Sequence, residues 1–435
     1  MAAEVAAPDK EASEPSPRSA SRRSLRSLRS LDGLNFLMAD VRDGLGPFMS
    51  VFLKSGQHWD SGSIGIVMAA SGLAAAVFQI PAGMLVDSVH AKRLLVALSG
   101  LLVAAACMVI AWFPHLAAVF GAQIVLGAAS AIIPPSLAAL SLGIVGHRLL
   151  PARIARNESF NHAGNFTAAV LAGGLGQFVG VHWLFYLVCG FATASALVVL
   201  LIDPRAVDHE LARGGETLRT ASGAHRPVPL AELWRDRRLR VFLMTVVLFH
   251  FGNAAMLPLA GQLIAQTHPG MDVIALSACV IAAQLVMMAV AAVVGRAMKA
   301  GVGRKTIFLV ALAILPVRGL LFCLTTNPYG IVGIQLLDGV AAGIFGVVAV
   351  VITSDLMRGT GRFNVAQGLM ALCVGIGAAL SNVMGGLVAA RFGFVAAYLS
   401  LSAIAVLAFA LFACCMSETG REDTISTDAL ANDAG

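Results

Sequence analysis

The chain has 435 residues, 58% hydrophobic and 12% charged, whereas charged residues make up about a quarter of a soluble protein. A mean hydropathy of +0.83 leaves too little polar material to cover the two or three domains that a soluble chain of this length would form. The sequence therefore reads as a membrane protein, and collagen-like, disordered and disulfide-scaffold classes are excluded. The seven cysteines sit in apolar stretches without CxxC spacing, which points to packing rather than to a zinc site or a redox pair. No metal and no cofactor is expected.

Residues 1–31 are polar and rich in Ser and Arg, unlike a cleavable leader, so the first span is expected to be its own targeting signal. Within this tail, SRRSLRSLRS from Ser21 to Ser30 reads either as a solvated tail or as a short basic amphipathic helix on the membrane surface. Asp9, Glu11 and Glu14 argue against a mitochondrial transit peptide. A crossing needs about 20 mostly apolar residues. Twelve such runs follow, at 33–53, 62–85, 94–113, 117–143, 160–180, 183–202, 241–265, 273–298, 306–324, 330–353, 364–388 and 394–416.

An even number of spans sorts the connections onto two sides, and nearly all the lysines and arginines fall on one of them. Lys54 and Arg391 lie on the opposite side, and Arg42 and Arg318 lie inside spans. Positive-inside logic puts both termini in the cytoplasm of a cell (inner) membrane. The net charge of +6 then implies anionic lipid headgroups as partners, and not nucleic acid.

The sequence is also doubled. A shift of 212 residues superposes Gly83 on Gly295, Lys92 on Arg304, Arg93 on Lys305, Gly121 on Gly333, Gln123 on Gln335 and Gly127 on Gly339. Pro47 and Pro258 correspond at an offset of 211, each breaking a helix near its outer third. Parallel repeats with interrupted first helices are a common way to build a central transport site. The expected fold is an all-α membrane protein of twelve transmembrane helices in two six-helix pseudo-symmetric bundles, 32–202 and 240–416. A cytoplasmic linker, 203–239, joins them, and 1–31 and 417–435 are cytoplasmic tails.

At Gly83 the chain reads GMLVDSVHAKR, which resembles the loop GxLaDrxGrk between helices 2 and 3 of the major facilitator superfamily. Gly83, Leu85, Asp87 and Lys92 match; Ser88, His90 and Ala91 depart, and Arg93 replaces some of the lost charge. The second copy, GRAMKAGVGRK from Gly295, has Lys299 where the acid would stand. The resemblance implies an alternating-access transporter, not an enzyme, in which Asp87, Lys92 and Arg93 serve the gate. Two patterns of the family's drug-for-proton exporters are missing. Gln123 replaces the early arginine of helix 4, and span 5 lacks the proline of GxxxGPxxGG.

Of 30 basic and 24 acidic residues, five lie well inside spans: Asp40, Arg42, Asp43, Arg318 and Asp338. Each costs about 2.5 to 3.5 kcal/mol at mid-span and is a functional candidate by default. At 100° per residue, Asp40 and Asp43 fall about 60° apart, while Arg42 falls about 200° from Asp40. The two acids share a face that Arg42 does not. If that face looks into the central cavity, as helix 1 does in the superfamily, the acids meet protons or substrate. The alternative is an ion pair pinning helix 1 to a neighbour. Arg318 and Asp338 differ in depth by about 4 to 5 Å, within reach of an arginine, so a buried pair is expected there beside a coupling role for Asp338. Asn161, His162, Asn165, His250, Asn253, Gln262 and Gln335 extend the polar lining.

The composite expectation is a secondary transporter of a small organic solute, proton-coupled and exporting. Import or facilitated passage of a polar, possibly anionic metabolite bound by Arg42 is the second reading, and a transport-dead receptor the third. A monomer is expected. No GxxxxGK[ST] loop is present for direct use of ATP.

Overall fold

The computed structural model describes residues 17–43, 45–209, 212, 234–357 and 363–419, and all regular structure among them is helical. The side chains of Asp43, Asp87 and Lys299, and most of the linker, lie outside the described residues. The helices are α1 Pro17–Asp43, α2 Phe48–Val51 with a π-helical turn Phe52–Gly56, α3 Ser61–Ser88, α4 Lys92–Trp112, α5 Leu116–Phe178 and α6 Trp183–Leu200. A 3-10 turn Pro204–Ala206 follows, then α7 Arg237–Asn253, α8 Met256–Thr267, α9 Asp272–Lys299, α10 Arg304–Phe322, α11 Pro328–Leu356 and α12 Phe363–Cys415. Nine segments of the described residues are long and apolar enough to cross a membrane. α1 and the second arm of α5 are not among them; these stretches carry Asp40 and Arg42, and Asn161, His162 and Asn165.

Proline sets the two interruptions. A proline has no N–H and its ring crowds the carbonyl four residues back. For Pro47 that residue is Asp43, where α1 stops; for Pro258 it is Ala254, immediately after α7 stops at Asn253. Pro258 then falls in the first turn of α8, where no N–H is needed. The broken helices meet: Ser50 Oγ lies 2.7 Å from Pro47 O and 3.1 Å from Pro258 O.

Glycine sets two further breaks. α5 runs for 63 residues, about 95 Å if straight at 1.5 Å per residue, against a hydrocarbon core of about 30 Å. It is broken at Gly146 (φ 72°, ψ 170°), and the 53-residue α12 is broken at Gly393 (φ 85°, ψ 168°). Both conformations belong to a region of the map that is essentially glycine's alone.

Of the two forms the sequence allows for Ser21–Ser30, the structure has a helix, and it is continuous with the first span as the beginning of α1, with Leu25, Arg26 and Arg29 exposed. Ser27 and Ser30 are buried on one face, and Ser27 Oγ accepts from Asp203 N–H at 3.1 Å, docking this extension on the exit of α6.

Separate apolar cores form in the two halves. One runs from Leu31 to Val207 and takes in Val273 and Leu276 of α9; two others lie within Leu239–Met416. The halves are in close contact at the end away from the termini. There a Cβ on Gly65 of α3 would stand 2.2 Å from Asn382 O of α12, and one on Gly176 of α5 would stand 2.3 Å from Val273 of α9. Toward the opposite ends of α3, α9 and α12, Gly83, Gly295 and Gly368 meet nothing within 4 Å.

Candidate functional site

The second half holds a buried polar cluster built by three elements. Arg318, on α10, is 1% exposed, and its Nη1 lies 2.8 Å from Asp338 Oδ1 on α11. The guanidinium also donates to Asn253 Oδ1 at the end of α7, through a short contact, and to Gln335 Oε1 at 2.9 Å. Gln335 Nε2 donates in turn to Asp338 Oδ2 at 2.7 Å, and Asn253 Nδ2 to Asp338 Oδ1 at 3.3 Å. Both carboxamides therefore face the cation with oxygen and the anion with nitrogen, so each stabilises the charge separation. Phe322 lies under the guanidinium at 5.3 Å. The 17% side-chain exposure of Asp338 makes the carboxylate the accessible end of the cluster.

The first half distributes its polar residues over two cavities. Asp40 lines one of about 150 Å³ with Leu45, Phe48, Asn165 and, across the half boundary, Gln284 of α9. Arg42 lines another of about 140 Å³ with Asn35, Asn157, Glu158 and Asn161. Asp40 and Arg42 thus look in different directions, as the helical spacing requires. His162 Nδ1 lies 2.8 Å from Gln284 Oε1, a direct polar bond between the halves.

Two expected cavity residues sit elsewhere. Gln262 is 2% exposed inside α8, packed in the outer part of the second half. His250 donates from Nδ1 to Val246 O at 3.0 Å and packs edge-on against Phe345 at 4.8 Å, in an aromatic cluster with Phe249 and Phe308.

Of the residues expected to serve the gate, Lys92 is buried and its Nζ donates to Val86 O at 2.5 Å and Val89 O at 3.2 Å, a cation on the last carbonyls of α3. Arg93 Nη1 donates to Ile202 O, past the end of α6, at 2.6 Å. Their repeat partners behave similarly: Arg304 Nε pairs with Asp355 Oδ2 at 2.7 Å, and Lys305 Nζ donates to Ala413 O at 2.8 Å.

One cluster escaped the sequence reading. Asp32 accepts from Arg153 Nη2 at 2.6 Å and from Arg156 Nε and Nη2 at 2.9 and 2.7 Å. Arg153 Nε donates to Asn157 Oδ1 at 2.6 Å, and Asn157 Nδ2 to Ser141 Oγ at 2.9 Å. Arg153 is buried on the second arm of α5. The signal was the i, i+3, i+4 spacing of Arg153, Arg156 and Asn157, which places all three on one helical face.

A helical protein with nine apolar segments among its described residues long enough to cross a membrane, an internal repeat, interrupted first helices and a polar-lined cavity between its halves has the architecture of a solute carrier. The description Major Facilitator Superfamily matches residues 32–331, and the chain belongs to that superfamily. It is an integral, multi-pass transport protein and not an enzyme. Two Mycobacterium tuberculosis proteins, each named an uncharacterised MFS-type transporter, are 46% identical over 394 residues, covering 90% of this chain and 93% of theirs. Among solved structures, a mutant of the nucleoside transporter NupG aligns with a TM-score of 0.72 at 15% identity, over 91% of this chain and all of that one. NupG itself gives 0.68 at 16% identity, over 90% and 98%. At that identity the likeness concerns the fold.

Proposed function

We propose that the protein is a secondary active transporter that moves a small organic solute outward across the cell (inner) membrane by alternating access, coupled to protons. The observation that supports alternating access within this reading is the asymmetry between the two ends of the molecule; the proton coupling and direction rest on the carboxylates taken up below. Close packing joins the halves at one end, while Gly83, Gly295 and Gly368 face open space at the other. With α1–α2 and α7–α8 each taken as one interrupted crossing, and α5 and α12 as two crossings each, the chain crosses twelve times, both termini are cytoplasmic and this conformation opens inward. Reporter fusions after His58 and after Gly361 should then report opposite sides of the membrane.

The carboxylates Asp40, Asp43 and Asp338 are the coupling candidates. Protonation of Asp338 would remove the anion beside Arg318 and leave the guanidinium held by Asn253 Oδ1 and Gln335 Oε1, its charge available to a solute. Asp87, Lys92 and Arg93 act on the gate through the α3–α4 connection. The test is solute movement in proteoliposomes under an imposed pH gradient, run in both directions with a panel that includes nucleosides. At least one of Asp40→Asn, Asp43→Asn and Asp338→Asn should abolish gradient-driven movement while sparing exchange. Full pH-driven transport in all three would refute the coupling.

A second reading, uptake or facilitated passage of a polar, possibly anionic metabolite, is supported by one feature: Arg42 shares its cavity with the polar side chains of Asn35, Asn157, Glu158 and Asn161. Uptake of a polar solute down its own gradient, independent of pH and lost in Arg42→Gln, would select it.

A further inference from the structure

Two long seams between the halves correspond through the repeat, one formed by α3 and α12, the other by the second arm of α5 and α9. At the end away from the termini both are tight. Gly65 of α3 leaves no room for a Cβ against Asn382 O of α12, and Gly173 and Gly176 of α5 leave none against Ser277 and Val273 of α9. Toward the end that carries the termini, the two seams differ.

In the first seam the backbones stay together. About two turns along α3 from Gly65, a Cβ on Gly375 of α12 would stand 2.8 Å from Ala76 Cβ and 3.4 Å from Gly72 O. At the repeat offset Gly72 corresponds to Gln284 of α9, and Gly375 to Ala163 of α5, the neighbour of His162. Here the second seam is parted. A cavity of about 150 Å³ lies in it, lined by Asn165 and Ala169 of α5 and by Val280 and Gln284 of α9, with Asp40 beside them. One turn beyond Asn165 the halves meet again, through side chains alone: His162 Nδ1 lies 2.8 Å from Gln284 Oε1. An amide oxygen only accepts, so the imidazole is the donor.

We propose that the His162–Gln284 pair is a strut, which holds the α5–α9 seam apart and stabilises this conformation against the one in which the halves close at the end that carries the termini. Closure there requires α5 and α9 to approach each other at this depth as α3 and α12 do, and two long side chains joined by their polar ends stand between them. The pair has to part first. A hydrogen bond drawn out beyond about 3.5 Å is lost, and between helices in a bilayer such a bond biases a two-state equilibrium by about three- to ten-fold. At the same depth the first seam has glycine on both sides, so α3 and α12 move past each other without a side-chain bond to break. The approach that breaks the strut also closes the cavity of Asp40, because Gln284 belongs to both. The strut therefore ties the accessibility of that carboxylate to the state of the seam. This inference rests on alternating access, and on neither the direction of transport nor the coupling ion.

Hydrogen–deuterium exchange of the full-length protein in nanodiscs reads both ends of the molecule and needs no solute. Gln284→Ala removes the acceptor and most of the bulk. It should quicken exchange around Gly65 and Gly176 by about three- to ten-fold, because that end opens only in the other conformation, while exchange around Gly83, Gly295 and Gly368 stays level or slows. His162→Gln, which keeps an N–H donor on a side chain of similar length, should retain the wild-type pattern. If Gln284→Ala does not fold, Gln284→Met, of similar bulk and without the amide oxygen, takes its place with the same signs expected. Exchange that quickens at both ends would report general loosening and overturn the strut, as would an unchanged pattern in the folded variant. Either result beside wild-type transport in proteoliposomes removes the strut and leaves the transport reading standing. The expected pattern in a protein that moves no solute would do the reverse.

Discussion

Arg318 and Asp338 meet at 2.8 Å between α10 and α11, the guanidinium wholly buried and the carboxylate partly exposed. A buried pair of this kind adds little net stability, yet removing one member leaves an uncompensated charge at a cost of about 3 to 5 kcal/mol. Arg318→Leu or Asp338→Leu alone should therefore lower Tm, and the double variant should recover most of the loss. Recovery will be incomplete by about 1 kcal/mol for each of Asn253 and Gln335 that loses its partners. A double variant that is stable yet inactive would show that Asp338 acts beyond pairing. Additive losses would contradict the contact.

Gly65 and Gly83 lie on the same helix and should respond oppositely to the same substitution. Alanine normally favours a helix over glycine by about 0.8 to 1 kcal/mol, and at Gly83 nothing lies within 4 Å to oppose it. At Gly65 the new Cβ would stand 2.2 Å from Asn382 O, a backbone atom that cannot swing aside, and overpacking of this kind costs about 1 to 3 kcal/mol. Thermal unfolding should show Gly83→Ala neutral to stabilised and Gly65→Ala destabilised. Equal responses would mean that α3 and α12 do not pack at this depth.

Particular residues show how far the sequence could be read. The breaks at Asp43 and Asn253 were legible because Pro47 and Pro258 act locally, through the carbonyl four residues back. The meeting of Arg318 with Asp338 was legible because charge inside a bilayer is costly enough to demand a partner. The roles of Asn253 and Gln335 as bridges in that cluster were not, since an amide can pair with almost any neighbour and only the packing of α7 against α10 selects one. The burial of Arg153 is hidden for a related reason. Charge near a span end reads as a solvated connection, and only the docking of α1 on the second arm of α5 buries it against Asp32. The continuity of α1 through Ser21–Ser30 was hidden by arginines that suit a membrane surface equally well.

Asp60 supplies a pH-dependent contribution that can be isolated. It caps α3, its carboxylate accepting from the Ser63 hydroxyl at 2.5 Å and from Ser63 N–H at 3.0 Å. The Ser63 hydroxyl first, and the backbone N–H groups after it, hold its pKa below the ordinary carboxylate value. A depressed folded pKa means stability that is present above the unfolded value of about 3.9 and is lost as pH falls through the folded value. Asp60→Asn keeps a good cap without a titrating group. The Tm advantage of the wild type over Asp60→Asn should therefore be constant near neutrality and shrink below about pH 4. A difference independent of pH down to the folded pKa would show that the carboxylate does not cap α3.

Gly146 and Gly393 carry the backbone turns that divide the two longest helices, and both sit in open space, with nothing within 4 Å of an added Cβ. Substitution by alanine therefore tests backbone strain alone, with no steric clash to confuse the reading. At φ 72° and 85° with ψ near 170°, a residue with a Cβ should cost about 1 to 3 kcal/mol, against the helix gain of about 1 kcal/mol that alanine brings elsewhere. Gly146→Ala and Gly393→Ala should both lower thermal stability, while Gly121→Ala, helical and equally open, should not. If Gly146→Ala proved as stable as Gly121→Ala, the chain would not turn back at that residue. α5 would then have to continue as one helix about three times longer than the hydrocarbon core is thick, and the placement of every later element relative to the membrane would fail with it.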